Sequence, residues 1–175
     1  MQPHDLIIDA LGRIHGILQR TLDGLTLEEL HHQPQADANS IAWLAWHLTR
    51  VQDVSLSSIS DQEQLWISQG WHAKFGLPAD RKQDGFGHTP ADVSAFRVAS
   101  AQTLLDYHES VLDRSKTYVA ALTPEALDRE LNEPQWQPLP TVGVRLVSIL
   151  SDNLQHAGQA AYLRGLIQGK GWLPY

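Results

Sequence analysis

VRLVSILSDNLQHAGQAAYLRGLI, residues 144–167, is the stretch on which the reading of the fold turns. Apolar residues recur at Leu146, Ile149, Leu150, Ala160, Leu163 and Ile167, a spacing close to 3.6 and therefore helical. Asp152, Asn153 and His156 interrupt that stripe on the same face. A carboxylate and an imidazole four residues apart on a helix are neighbours. Here they point toward a core. Burying such groups unpaired costs about 1–3 kcal/mol for a polar group and more for a charge. A bound metal ion is one compensation that fits both groups.

Upstream, Asp5–Leu22 predicts an amphipathic helix with Ile7, Ala10, Leu11, Ile14, Ile17, Leu18 and Leu22 on its apolar face, ended by Gly24. Thr26 and Glu29 have capping-box spacing and open a short helix over Thr26–His31. Asn39 or Ser40 caps the next helix, Ile41 to about Ser58, with the stripe Trp43, Leu44, Val51 and Val54. His47 sits within that stripe, so it too aims inward. Thr89-Pro90-Ala91-Asp92 is a strong helix start, and the pattern predicts one helix to about Leu122, with Val93, Phe96, Leu104, Tyr107, Val111, Tyr118 and Leu122 on one face. Thr123-Pro124-Glu125 caps a further short helix to about Leu131. The Pro-rich loop Asn132–Pro140 then leads into the last helix from about Val142.

Residues 60–89 form a long connector with a helical turn at Gln62–Gln69. Its aromatics Trp66, Trp71, Phe75 and Phe86 predict that it packs on the rest of the chain. The tail, GKGWLPY, carries two aromatics suited to docking back. No segment alternates with period 2. The expectation is all-α: a four-helix bundle of up-down-down-up order, with the long crossover between its second and third helices, in a single domain spanning 1–175.

Composition narrows the function. A net charge of −7 disfavours a nucleic-acid surface. The absence of cysteine removes disulfides, thiolate metal sites and a cysteine nucleophile. No run of 18 apolar residues exists, and MQPHDLIIDA is not a leader, so a cytoplasmic protein without a membrane partner is expected. Taken alone, His47 reads as a core histidine bonded to a carbonyl, and Asp152/His156 as an ordinary helical pair. Taken together, on the inner faces of two helices, they make a candidate metal site. Two nitrogens and one carboxylate suit Zn2+ or Ni2+, and three protein ligands leave a position open, as catalytic sites do. His108 is the reserve ligand; His31, His32, His72 and His88 read as solvated. Trp43 and Trp46 read as core or pocket wall. Gln159 is placed to orient a ligand. Arg50 and Arg164 read as snorkelling cations near the helix ends or the bundle mouth, either of them a candidate to bind an anionic cosubstrate.

NSIAWLAWHLTRVQD at 39–53 and SDNLQHAGQAAYLRG at 151–165, with the LTLEEL, LTPEALDREL and QGWHAKFGLP stretches, resemble the DinB/YfiT-like superfamily over nearly the whole chain. The resemblance implies a divalent metal held by a histidine of the second helix and an i,i+4 pair of the last, which here are His47, Asp152 and His156. It implies a transferase that activates a low-molecular-weight thiol of the mycothiol or bacillithiol type, and a homodimer. The lack of cysteine agrees with a nucleophile brought in from outside. A metal-dependent hydrolase and a non-catalytic metal-binding stress-response protein are the rival expectations.

Overall fold

The computed structural model describes residues 2–169 and 171–172. Among them the chain forms α1 (Pro3–Leu22), α2 (Leu27–His31), α3 (Ile41–Ser60), α4 (Leu65–Ser68), α5 (Trp71–Lys74), α6 (Pro90–Ala95), α7 (Ala101–Ala120), α8 (Pro124–Leu127) and α9 (Val142–Gln168). The described residues contain no strand, only an isolated bridge between Glu130 and Thr141. The protein is all-α.

Local chemistry sets the helix starts. Ser40, Thr89, Ser100, Thr123 and Thr141 each accept a backbone N–H three residues on, and Thr26 and Thr89 complete capping boxes with Glu29 and Asp92. The four long helices pack in a ring: α3 against α9 and α7, α1 against α9 and α7. Cross-helix bonds fix the register. Gln52 accepts from Asn153 (2.6 Å) and donates to Ser115 (2.7 Å), while Arg164 donates to the carbonyls of Arg20 and Thr21. Helix α3 differs from its partners because every residue from Ile41 to Arg50 is buried. A helix apolar all round must be covered on all sides. The connector supplies the missing cover: Trp66, Trp71 and Phe75 join Trp46, Phe96 and Tyr107 in one core cluster.

The structure corrects four expectations. The helix predicted over 90–122 is broken between α6 and α7. Phe96 leaves helical geometry (ψ 126°), Val98 donates its N–H to His31 Nε2 (3.1 Å), and Ser100 caps α7 afresh. The break lets Phe96 and Val98 enter the core, where both are buried. Arg50 is not a cation at the mouth but has no exposed surface, and Arg164 is buried against α1. His88 is not solvated: it accepts from Trp43 Nε1 (3.1 Å) and stacks on Trp46. Phe86, expected to pack, is 93 % exposed, whereas the other connector aromatics are internal and so lend no support to a dimer. In the tail, Trp172 lies under the Arg164 guanidinium (5.0 Å), and Tyr175 is outside the described residues. No helix of the described residues is long and apolar enough to cross a membrane.

Candidate metal centre

Three side chains, one more than a hundred residues from the other two in sequence, converge where α3 and α9 face each other. His47, Asp152 and His156 each offer a ligand atom, all within 4.8 Å of one another. The His47 and His156 rings meet edge to face, centroids 4.8 Å apart, and His156 Nε2 is 3.5 Å from Asp152 Oδ1. Ligands bound to one ion at about 2.0–2.1 Å in tetrahedral geometry lie about 3.4 Å apart, so small rotations complete the set.

The hydrogen bonds around the rings matter as much as the distances. His47 Nδ1 faces the carbonyl oxygen of Asp84, and His156 Nδ1 faces Gln159 Oε1 (2.8 Å). The Asp84 carbonyl only accepts, so His47 carries its proton on Nδ1 and presents a bare Nε2, while His156 lies between Gln159 on its Nδ1 side and the Asp152 carboxylate on its Nε2 side. This is how metal-binding histidines are oriented by their surroundings. Among the described residues, Asp152 Oδ2 is buried with no hydrogen-bond partner. An unpaired buried carboxylate oxygen beside two imidazoles is a donor set that fits a divalent cation.

Electrostatics divides the two histidines. Burial pushes the His47 pKa down against the raising effect of the Asp84 carbonyl, so that ring stays neutral. The bond to Asp152 pushes the His156 pKa up, opposed by burial. His47 is only 7 % exposed, whereas the His156 and Asp152 side chains are 20 % and 27 % exposed, so the site opens on the α9 side. There a surface groove of about 670 Å³ runs from Asp152 and Gln155 past Ser151 and Ser148 to Val147 and Val144.

The wall opposite is aromatic. Trp43 stacks on His47 (4.7 Å, 11°), and Trp46 lies behind it, fully buried. Gly85 fits into this wall so tightly that a Cβ there would lie 2.8 Å from Trp43, 2.9 Å from Trp46 and 3.0 Å from His47 Nδ1. Its φ of +96° also favours glycine.

The reserve ligand, His108, is elsewhere: fully buried, bonded to Thr49 (3.1 Å) and stacked on His15 (5.4 Å). Sequence reading missed the most connected group near the site. Asp53 accepts from Leu65 N, Trp66 N, Tyr107 Oη, Arg50 and Arg114, all at 2.5–3.4 Å. The available signal was its place one turn beyond a helix segment apolar on every side.

The sequence profile of the DinB superfamily matches residues 10–160. The chain belongs to that superfamily. A solved structure described as the conserved protein of a locus from Enterococcus faecalis is similar to it, with a TM-score of 0.89 and 34 % identity over 97 % of this chain and 99 % of that one. No curated protein sequence matches the chain. Within this superfamily member, the two regions quoted for the resemblance, 39–53 and 151–165, supply the second-helix histidine and the last-helix pair that meet in space.

Proposed function

We propose that this DinB superfamily protein is a metal-dependent transferase that activates a low-molecular-weight thiol for attack on an electrophilic small molecule. The observation that carries the reading is the convergence of two imidazoles on a carboxylate whose second oxygen is buried and, among the described residues, unpaired. A divalent ion held by His47, Asp152 and His156, Zn2+ or Ni2+ by donor chemistry, supplies Lewis acidity that lowers the pKa of a thiol sulfur. The chain's own residues do the remaining work. Asp84 and Gln159 hold the two rings, Trp43 and Trp46 form an apolar wall that excludes water, and the groove beyond Asp152 receives the electrophile. The protein has no cysteine, so the sulfur nucleophile comes from a cosubstrate of the mycothiol or bacillithiol kind. The thiol proton leaves to solvent, the sulfur bonds to the electrophilic carbon, and that carbon releases its leaving group.

The test is conjugation of monobromobimane by either thiol with metal-loaded protein. Turnover abolished by chelation and by Asp152→Ala supports the reading. No thiol consumption across a broad panel of electrophiles removes it, and ester or amide hydrolysis by the same loaded protein replaces it with a hydrolase. Bound metal with neither activity leaves a metal-binding module.

The same reading takes the four long helices as an up-down-down-up bundle in one domain. Pairings of His47 with His156 and Gln52 with Asn153 support opposed α3 and α9, and Thr49 with His108 and Gln52 with Ser115 support parallel α3 and α7. It takes the protein as a cytoplasmic homodimer, for which the exposed Leu154, Tyr162 and Leu166 of α9 offer an apolar face clear of the groove beyond Asp152. A monomeric mass in light scattering removes the dimer alone.

A further inference from the structure

The structure assigns Arg50 as the positioning residue of the candidate metal centre: it clamps the loop whose Asp84 carbonyl holds the ring of His47. The assignment rests on the reading of the site as a metal centre, and it gives a role to a charge that sequence alone placed in solvent.

Arg50 has no exposed surface, and all five of its N–H groups are used. On one side they meet Asp53 Oδ2 (3.4 Å), Tyr107 Oη (3.1 Å) and Gln64 Oε1 (3.0 Å). On the other they meet two backbone carbonyls of the connector, Gln83 (2.9 Å, from Nε) and Arg81 (3.4 Å). The guanidinium also lies over the Trp66 ring (4.6 Å). The carbonyl that follows Gln83 in the chain is that of Asp84, the acceptor for His47 Nδ1. His47 and Arg50 are three residues apart, one turn on α3, so one helix face grips carbonyls 81, 83 and 84 of a single loop. Gly85 then closes against Trp43, Trp46 and His47, where no side chain fits.

This arrangement has a consequence for the ligand atom. Hydrophobic packing alone would hold the loop on the helix but would not aim a carbonyl. A buried cation facing carbonyl oxygens fixes their direction, because each strays only by leaving an N–H unpaired in the core. With the Asp84 oxygen fixed, the His47 proton stays on Nδ1 and Nε2 stays bare. With the loop free, His47 loses the Asp84 acceptor and populates the tautomer with Nε2 protonated, whose Nε2 cannot ligate a metal. Lysine in place of Arg50 keeps the charge beside Asp53 but not the fork that spans both carbonyls.

The experiment uses the full chain with Arg50→Lys, Tyr107→Phe and Gly85→Ala. The tautomer of His47 is read in metal-free protein by 15N–1H correlation NMR, and Zn2+ affinity by competition with a chromophoric chelator. We expect Arg50→Lys to weaken Zn2+ binding about 10–100-fold, the usual range for groups that orient a ligand, and to give His47 a mixed tautomer. Tyr107→Phe, which removes an Arg50 partner on the side away from the loop, lowers stability and leaves both readouts unchanged. Gly85→Ala displaces the loop without touching Arg50 and reproduces the loss; it carries the test if Arg50→Lys does not fold. Affinity within twofold of wild type in Arg50→Lys or, failing that, in Gly85→Ala, with the Nδ1–H tautomer intact, overturns the assignment. Wild-type protein that binds no Zn2+ or Ni2+ ends the metal reading instead, and the tautomer comparison in metal-free protein still decides whether Arg50 positions His47.

Discussion

Replacing Asp53 by alanine should be among the most damaging single changes in this chain outside the metal ligands. Asp53 is fully buried, and so is Arg50, whose charge it faces at 3.4 Å. Its other oxygen holds the Arg114 guanidinium at 2.5 Å, and the two oxygens together accept the Leu65 and Trp66 backbone N–H groups and the Tyr107 hydroxyl. Asp53→Ala therefore leaves a buried guanidinium with no anion, plus a phenol and two amides with no acceptor. Breaking a buried pair from one side costs about 3–5 kcal/mol, against a total stability of about 5–15 kcal/mol for a native domain. At roughly 2–4 °C per kcal/mol for a chain of this size, the Tm falls by about 6–20 °C. Urea unfolding followed by far-UV circular dichroism measures the free energy, and hydrogen exchange should show the Leu65 and Trp66 amides losing protection first. Asp9→Ala, which breaks the exposed Asp9–Arg13 pair on α1, is the control and should leave the midpoint where it is. A loss below about 1 kcal/mol for Asp53→Ala, within the range of an ordinary surface pair, would show that the network is not what fastens the connector to α3.

His47→Ala and His156→Ala should each drop bound metal well below one ion per chain by elemental analysis, with helix content retained; full occupancy in both would mean the ion, if any, sits elsewhere. Protons compete with metal for the same nitrogens, and the Asp152 bond raises the His156 pKa while burial lowers that of His47. As pH falls, His156 should protonate first, and metal release should begin at a higher pH in Asp152→Asn protein, which has lost the anionic ligand, than in wild type titrated from saturation. His108 is pushed down to about 3 by burial, with His15 and Lys116 adding to the effect. The unfolded chain binds that proton near 6.5 and the folded chain does not, so the stability is complete above pH 6.5 and is lost as pH drops toward 3; at pH 5 the loss is about 2 kcal/mol. Metal-free His108→Gln protein should show a flatter stability profile between pH 7.5 and 5, and an unchanged slope would remove His108 from the account of acid sensitivity.

How much of this was legible depends on whether a residue's environment could be read from its own helix. His47, Asp152 and His156 were legible because each interrupts an apolar stripe on its own segment, and period alone says that the interruption faces inward. Arg50 and Asp53 were not, because an oppositely charged pair three residues apart is also the signature of a solvated helix face. What distinguished them was the segment before, IAWLAW, apolar on every side, which requires cover beyond three neighbouring helices. The break at Phe96–Ser100 lacked a Gly or Pro to announce it; its cause is tertiary, the burial of Phe96 and Val98 against the connector aromatics. Phe86 was misread for the opposite reason, an apolar residue held out by glycines of positive φ on either side.

The connector explains its own length. A crossover from the end of α3 to the start of α7 could be far shorter than the stretch from Asp61 to Ser100. The extra chain first turns at α4 to deliver two amides to Asp53. It then buries Trp66, Trp71 and Phe75 on the face of α3 that no long helix covers, and returns along Arg50 so that its carbonyls reach His47. Each step depends on the one before: without Asp53 the turn at Leu65 is not held, and without the turn Arg50 has no carbonyls to grip. The groups that orient the first ligand are therefore built from the same buried charges that stabilise the fold. That coupling predicts an order of failure under mild denaturation. Metal affinity and the His47 tautomer should be lost when the connector detaches, before the α3–α9 contact opens, and Trp66 fluorescence should change with metal release rather than with loss of far-UV ellipticity. Coincident transitions for all three signals would show that connector and bundle unfold as one unit, and the stepwise picture would have to be given up.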